Sequence, residues 1–334
     1  MQWRTAVVFT TVSVLAVTLY VLWMARVIVL LVFAGILVGL MLIRACEFLE
    51  RRLRIQRRVA LPVALIAIIG GLALTIWSRG AALAEQLQLL QEKLPQTTAS
   101  AMAQLKQLEW GRWLFAHGSG VEQLARSVDL IPRLTGILSS TIGIVGGLAI
   151  VFFLGIVIAA EPATYRNGFE LLFPRSSRDY VNQVVDEVAS SLHSWLFARL
   201  VSMVAVGGMA WLGLWLLGVP MPGTLGLLAG LLAFIPNIGP ILSAIPPVLL
   251  ALSSSPRLAL YVVLLFWGVH AAEGMIITPI AERKAVQLPP ALTLSMQLVL
   301  ALVAGTMGVA LAAPITTVLL VLFRTVYQNK VLRE

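Results

Sequence analysis

Residues 234–252 have the sequence FIPNIGPILSAIPPVLLAL, an uncharged run that is long enough to cross a bilayer but contains four prolines. Proline lacks an amide hydrogen and pushes the preceding residue out of helical dihedrals, so a helix cannot pass smoothly through Pro236 and Pro240. Gly239 lies between these prolines and is free to turn. The stretch therefore predicts a discontinuous membrane helix.

A break of this kind has functional implications in lipid. The backbone groups that it frees must be satisfied by protein or by cavity water, so breaks are tolerated where they line a pathway. By analogy with the broken helices of secondary transporters, the break is a candidate substrate or ion pathway. The alternative is a proline kink packed against neighbouring helices, in which Asn237 only satisfies loose carbonyl groups. The candidate pathway residues are Pro236, Asn237, Gly239 and Pro240.

The composition defines the broad class of protein. The chain has 334 residues, of which 59% are hydrophobic and 12% are charged, and its mean hydropathy is +0.94. These values predict an integral membrane protein with several helical spans. The net charge of +9 comes from short basic clusters between apolar runs. This pattern favours the membrane surface over nucleic acid as the partner.

Apolar runs divide the chain into about eight helical segments, and the sixth is the broken one, which either crosses or re-enters the membrane. The fold class is therefore all-α and polytopic, with two amphipathic helical regions in addition. Cys46 is the only cysteine, so an intrachain disulfide and a thiolate metal cage are both excluded. No metal or cofactor is expected. The other apolar runs are Thr5–Met24, Val27–Ile43, Val59–Trp77, Thr141–Ala160, Val201–Leu217, Leu258–Ile280 and Thr293–Phe323.

The charge pattern predicts the topology. Residues 44–58 hold six arginines against two glutamates, which places this loop and the amino terminus on the cytoplasmic side. The first three spans and this loop form region 1–77. Region 78–140 has leucines at helical spacing but no span, so an amphipathic helical region outside the cytoplasm is expected. After the fourth span, 141–160, the mixed polar segment 161–199 predicts cytoplasmic amphipathic helices. Region 200–334 would hold the core transport segments and a cytoplasmic carboxyl terminus.

Glycines in two segments predict close contacts between helices. Gly226 and Gly230 precede the break at four-residue spacing, which is typical of a face that another helix approaches closely. The fourth span, Thr141–Ala160, holds several glycines with the same implication. It ends at Glu161, which is either an interfacial charge or part of a gate.

Glu273 is the strongest candidate for ion chemistry. A carboxylate within an apolar helix is costly unless it faces protein or water, so a functional role is the default interpretation. Such a group is suited to coupling or gating through proton exchange or cation binding. His270 lies three residues earlier on the same face, and Thr278 follows in the same segment. The alternative is a glutamate near the end of the span that pairs with Arg283 or Lys284 at the surface.

The carboxyl-terminal third of the chain resembles a known family. The motifs are the broken segment 234–252, the run EGMIITP at 273–279, LPP at 288–290 and the glycine-rich run AGTMGVALAAP at 304–314. In combination they resemble the autoinducer-2 exporter family of bacterial membrane permeases. The resemblance implies a multi-pass exporter in the plasma (inner) membrane that carries a small polar substrate such as autoinducer-2. It also implies proton or sodium coupling and a homo-oligomer such as a pentamer.

Other functions are weighed against transport. No G-x-x-x-x-G-K-[ST] loop occurs in the chain, which argues against an ATP-driven pump, and the absence of an H-E-x-x-H or similar cluster argues against an enzyme. The main rival is an oligomeric channel or passive pore in which the broken helices form a filter. A membrane scaffold without cargo is a further alternative. Gradient dependence of flux separates coupled transport from the passive pore.

Overall fold

The computed structural model describes residues 24–71, 141–281 and 288–331, together with Tyr20, Leu74, Trp77 and residues 85, 86, 88 and 89. For residues 141–145 and 326–331 it describes only the backbone. The predicted first span and nearly all of region 78–140 therefore lie outside the described residues. The described residues form helices and their connections, with no strand among them. This confirms the predicted all-α class.

Ten helices are numbered in chain order within the described ranges. The second helix comprises residues 57–71, and a π-helical turn over Glu273–Ile277 separates the eighth from the ninth. The others are α1 (Arg26–Leu53), α3 (Thr141–Ala160), α4 (Pro162–Glu170), α5 (Arg178–Leu216), α6 (Pro222–Leu232), α7 (Ile238–Ser254), α8 (Pro256–Ala272), α9 (Thr278–Ala281) and α10 (Pro290–Val331), with residues 57–71 as α2.

Several of these helices suit a membrane. Four described helical stretches are long and apolar enough to cross a bilayer, and the α3 and α4 pair, bent by 86°, makes up to five. The apolar helices α6 and α7 are shorter. A polytopic helical fold is thus confirmed, while the predicted total of eight segments remains a prediction. The four stretches are Arg26–Leu53, Arg175–Leu216, Pro256–Ala281 and Pro290–Thr325.

The arginine-rich segment is largely helical rather than a loop. Helix α1 continues to Leu53 through most of it, and only residues 54–56 separate α1 from α2. Glu47 and Arg51 are four residues apart, the spacing at which opposite charges stabilise a helix. Such pairs let the apolar helix extend into a polar segment.

The chain forms two compact units. The first comprises residues 1–44, 147–189 and 288–334, and within it α1 and α3 make close contact. A Cβ atom added at Gly155 would lie 2.6 Å from Val38 Cγ1, and one at Gly39 would lie 3.0 Å from Ile158 Cγ2. The predicted close contact of the fourth span is confirmed at Gly155, whereas Gly146 faces open space.

Helix α5 is longer than any segment that the sequence predicted. It has no internal proline and runs through residues 178–216, so the predicted boundary between residues 199 and 200 lies within it. At 1.5 Å per residue its 39 residues measure about 58 Å, nearly twice the hydrocarbon thickness of about 30 Å. The polar first half and the apolar second half of α5 therefore belong to one continuous helix.

The second unit comprises residues 45–146 and 190–287, and its core is formed by α5, α6, α7 and α8. A Cβ atom at Gly230 would lie 2.7 Å from the Met203 carbonyl oxygen, and one at Gly226 would lie 2.6 Å from Trp211 Cβ. The close approach predicted for these two glycines is confirmed. Buried side chains of this core include Val206, Ala210, Leu214, Leu225, Ala229, Leu250, Val262, Phe266 and Val269.

The predicted break is present between α6 and α7, but it lies slightly earlier than expected. Helix α6 ends at Leu232 and α7 begins at Ile238, so Pro236 lies in the break and Pro240 in the first turn of α7. Gly239 is helical. The positive φ of 63° belongs to Asn237 instead. The predicted turning role of Gly239 is therefore wrong. Glycine is required at this position because there is no room for a side chain.

That space is taken by the preceding helix. A side chain at Gly239 would collide with the carbonyl oxygen of Leu232. Helix α10 has a second break of the same kind, where Gly305 has φ 62° and ψ −142° and a side chain at Gly308 would collide with the Leu300 carbonyl oxygen. Residues eight apart in a straight helix are separated by about 12 Å, so α10 bends sharply. The predicted eighth span is thus also discontinuous.

Candidate functional site

Five polar groups from α5, the break, α7, α8 and the π-helical turn form a continuous chain within the second unit. It runs from the Phe234 carbonyl through Arg199, Glu273 and His270 to Ser243, whose hydroxyl meets the Pro240 carbonyl. We call this set the polar chain. It connects the two sides of the helix break through a buried carboxylate.

Glu273 is the centre of the polar chain. It is 7% exposed and is the first residue of the π-helical turn that follows α8. Arg199 Nη1 lies 3.2 Å from Glu273 Oε1, and His270 Nδ1 lies 3.1 Å from Oε2. Both carboxylate oxygens thus have a nitrogen partner, as a charge held away from water requires.

Arg199 comes from the middle of α5, and its side chain is 10% exposed. Its Nε donates to the Phe234 carbonyl oxygen at 3.2 Å while its Nη1 contacts Glu273. The freed carbonyl at the end of α6 therefore shares a guanidinium with the buried carboxylate. The sequence pattern does not distinguish this arginine, because Arg199 stands at the end of the polar segment 161–199.

His270 connects Glu273 to α7. Its Nε2 lies 3.4 Å from Ser243 Oγ, and that hydroxyl lies 3.0 Å from the Pro240 carbonyl oxygen. Ser243 is buried and was also missed from the sequence, because a single serine in an apolar run has no distinguishing signal. The His270 ring packs near Phe266 on its own helix, with ring centroids 6.1 Å apart.

The break itself contains a strained turn. The Ile238 amide donates to the Pro236 carbonyl oxygen at 2.7 Å, and Asn237 between them has φ 63° and ψ −46°. These values define a γ-turn of the rare, strained type. Phe234, at the start of the break, contacts Trp195 edge to face with ring centroids 5.8 Å apart. Strained backbone of this kind is concentrated at functional sites.

The remaining candidate residues, Thr278 and Glu161, do not take part in the contacts that define the polar chain. Thr278 is half-buried in α9, directly after the π-helical turn. Glu161 belongs to the first unit, where it is exposed at the bend between α3 and α4 and accepts a hydrogen bond from Thr164 Oγ1 at 3.2 Å. Arg283 and Lys284, the alternative partners of Glu273, lie outside the described residues.

No group of three or more His, Cys, Asp or Glu side chains in the described ranges could hold a metal ion. The side chains of the polar chain can form hydrogen bonds and exchange protons. Glu273, His270 and Ser243 are an acid, a base and a hydroxyl in series, and Arg199 supplies a permanent positive charge beside them.

An all-helical polytopic chain with a buried ionisable cluster at a helix break belongs to the class of membrane transport proteins. Comparison with known families makes this assignment specific. Residues 12–328 match the family model described as AI-2E family transporter, so the chain belongs to that family.

Three curated relatives support the family assignment. "Putative transport protein YueF" of Bacillus subtilis is 23% identical over 84% of this chain and 80% of its own length. "AI-2 transport protein TqsA" of Escherichia coli is 26% identical over 59% of this chain and 56% of its own length. "Putative transport protein YrrI" of Bacillus subtilis is 30% identical over 45% of this chain, and the match covers 43% of that relative. The resemblance stated from the sequence is confirmed.

Proposed function

We propose that this protein exports a small polar metabolite or signalling molecule across the bacterial inner membrane, driven by a proton or sodium gradient. The observation that supports coupling is the buried contact between Arg199 and Glu273, because the same guanidinium also binds the Phe234 carbonyl at the break. If Glu273 or the His270 ring bonded to it gains a proton or cation, the buried charges of Arg199 and Glu273 are no longer balanced. A buried cation without a counter-ion costs several kcal/mol, so the break must rearrange or admit water.

Autoinducer-2 is the first cargo to test. The name of the relative TqsA states that it transports AI-2, and it matches 59% of this chain. The candidate pathway residues Pro236 and Asn237 are half-buried at the break, and the side-chain amide of Asn237 is a group with which a polar solute can form hydrogen bonds. Other small polar metabolites remain candidates under this proposal.

The wider arrangement is part of the same proposal. The amino terminus and the segments 44–58 and 161–199 lie on the cytoplasmic side, and the protein forms a homo-oligomer such as a pentamer. Glu161, exposed at the 86° bend between α3 and α4, is the candidate gate. Native mass spectrometry of the purified protein measures the number of copies.

Substitution of Glu273 by Gln tests the coupling. This change keeps the size of the side chain but removes its charge, so transport driven by a proton or sodium gradient should stop, while downhill exchange of cargo survives. The measurement is accumulation and exchange of labelled autoinducer-2 in liposomes that contain the purified protein.

Glu170→Gln is the control, because Glu170 is a half-buried carboxylate at the end of α4 in the other unit. It should leave both activities unchanged. Wild-type gradient-driven accumulation in Glu273→Gln would show that Glu273 is not the coupling group. Passive flux through the wild-type protein without accumulation under any gradient would favour the oligomeric channel.

A further inference from the structure

We propose that the proton is the coupling ion and that His270 carries it, with Ser243 passing its protonation state to the helix break. This inference rests on the proposed transport function and specifies its ion. It follows from the hydrogen-bond capacity of the polar chain.

The hydroxyl of Ser243 has one hydrogen and two neighbours. It lies 3.0 Å from the Pro240 carbonyl oxygen, which can only accept, and 3.4 Å from His270 Nε2. His270 Nδ1 lies 3.1 Å from Glu273 Oε2, so the proton of a neutral ring resides on Nδ1, where it donates to the carboxylate. With neutral His270, Nε2 can only accept, so the ring competes with the Pro240 carbonyl for the Ser243 hydrogen. With protonated His270, Nε2 donates to Ser243 Oγ, and the hydroxyl hydrogen turns to Pro240.

Protonation of His270 therefore changes which groups can accept the hydrogen of the Ser243 hydroxyl. One proton binds at Nε2, the net charge of Arg199, Glu273 and His270 changes from zero to +1, and the Pro240 carbonyl becomes the only acceptor for the Ser243 hydrogen among these two neighbours. Pro240 lies in the first turn of α7, directly after the break. Loss of the proton reverses each step. The protonation state of a side chain on α8 is thus transmitted to the backbone at the break.

The contacts of Glu273 give it the role of counter-ion. Its Oε1 lies 3.2 Å from the guanidinium of Arg199, so the carboxylate already has a permanent positive partner. Its Oε2 lies 3.1 Å from His270 Nδ1, so Glu273 is placed to balance the charge of a protonated ring in a buried position.

The same contacts disfavour sodium. Hard cations bind clusters of oxygen ligands, and the described neighbours of both Glu273 oxygens are nitrogen donors. The guanidinium of Arg199 from α5 faces the carboxylate, so an arriving cation would meet a like charge. The group that faces His270 from α7 is the uncharged hydroxyl of Ser243.

The experiment compares two gradients with autoinducer-2 as the probe. Antiport driven by a proton should accumulate labelled autoinducer-2 in vesicles with an acidic lumen, and a sodium gradient at equal pH should not drive it. His270→Gln should abolish this accumulation and remove the pH dependence of exchange. Ser243→Ala should weaken accumulation, because the ring loses its connection to Pro240.

His193→Gln is the matched control, since His193 also lies on a described helix of the same unit. It should keep the wild-type pH profile. Accumulation driven by sodium at equal pH, or a wild-type pH profile in His270→Gln, would overturn this inference and leave coupled transport intact. Absence of accumulation under either gradient in the wild-type protein would overturn the proposed function as well.

A second measurement applies if His270→Gln does not fold. The chain has three histidines, so nitrogen NMR of the ¹⁵N-histidine-labelled wild-type protein shows the signals of three rings. Comparison with variants in which one of the other two histidines is substituted identifies the signal of His270. The His270 signal should change between neutral and protonated forms over the pH range in which exchange changes. A His270 ring that keeps one protonation state over that range would contradict the proposal.

Discussion

Arg199 has two acceptors at once, the Phe234 carbonyl oxygen and Glu273 Oε1, and the side chains of Arg199 and Glu273 are both buried. Burying two charges costs several kcal/mol per ion, and their attraction offsets this only while both partners are present. Removal of one partner is therefore more damaging than removal of both. This asymmetry distinguishes a buried pair from a surface pair.

Arg199→Gln should lower the free energy of unfolding by about 3–5 kcal/mol, because it leaves Glu273 buried without a counter-ion. The double variant Arg199→Gln with Glu273→Gln should recover much of this loss. Thermal and denaturant unfolding of the detergent-purified protein measures both changes as a double-mutant cycle.

The Arg166 and Asp186 pair provides the control. Arg166 Nη1 lies 2.6 Å from Asp186 Oδ1, but the two side chains are 42% and 60% exposed. An exposed pair contributes roughly 0–1 kcal/mol, so Arg166→Gln should have a small effect. An Arg199→Gln effect no larger than that of Arg166→Gln would show that the buried pair is solvated and does not respond as proposed.

At the scale of single elements, the break between α6 and α7 depends on the backbone of Asn237. Its γ-turn is closed by the hydrogen bond from the Ile238 amide to the Pro236 carbonyl oxygen. Residues in such sparsely populated conformations cost about 1–3 kcal/mol. The surrounding helices α6 and α7 keep this turn in place.

Asn237→Gly should raise the free energy of unfolding by about 1 kcal/mol, because glycine adopts positive φ without steric cost. If the strain drives rearrangement of the break, the same variant should transport more slowly. Unfolding in detergent and autoinducer-2 exchange in liposomes are measured on the same preparation.

Arg54→Gly tests whether the effect is specific to the break. Arg54 also has a positive φ, of 53°, but lies exposed between α1 and α2. This variant should gain stability from the same relief of strain while exchange stays at the wild-type rate. Equal exchange rates in Asn237→Gly and the wild-type protein would show that the strain of this turn does not contribute to transport.

At the scale of the whole molecule, the orientation in the membrane follows from charge. The positive-inside rule predicts that residues 44–58 and 161–199 lie on the cytoplasmic side and region 78–140 on the opposite side. Helix α5 starts at Arg178 and measures about 58 Å, which exceeds the hydrocarbon thickness of about 30 Å, so part of this helix is predicted to extend beyond the bilayer.

Single cysteines in a variant that lacks Cys46 test this topology. A membrane-impermeant thiol reagent added to intact cells should label Gln88→Cys but not Arg52→Cys or Asp179→Cys. The latter two should react after the membrane is permeabilised. Equal labelling of Arg52→Cys and Gln88→Cys from outside would contradict the assignment.

The features of this protein that depend on local chemistry could be predicted from its sequence. Long apolar runs predicted an all-helical membrane protein, because a backbone in lipid must satisfy its own hydrogen bonds. Pro236 predicted the break, and the spacing of Gly226 and Gly230 predicted a close helix contact, since both signals lie within a few residues. Glu273 was conspicuous as a charge in an apolar segment, and the motifs of residues 234–314 indicated the family.

The contacts between groups that are distant in the sequence are visible only in the tertiary structure. Glu273 contacts Arg199, which is 74 residues away in the chain, and Ser243 gains its importance from His270 on another helix. The strained residue is Asn237 rather than Gly239, because the carbonyl of Leu232 occupies the space that a side chain at Gly239 would need. Such choices depend on how helices pack against each other, and packing joins residues that no local pattern relates.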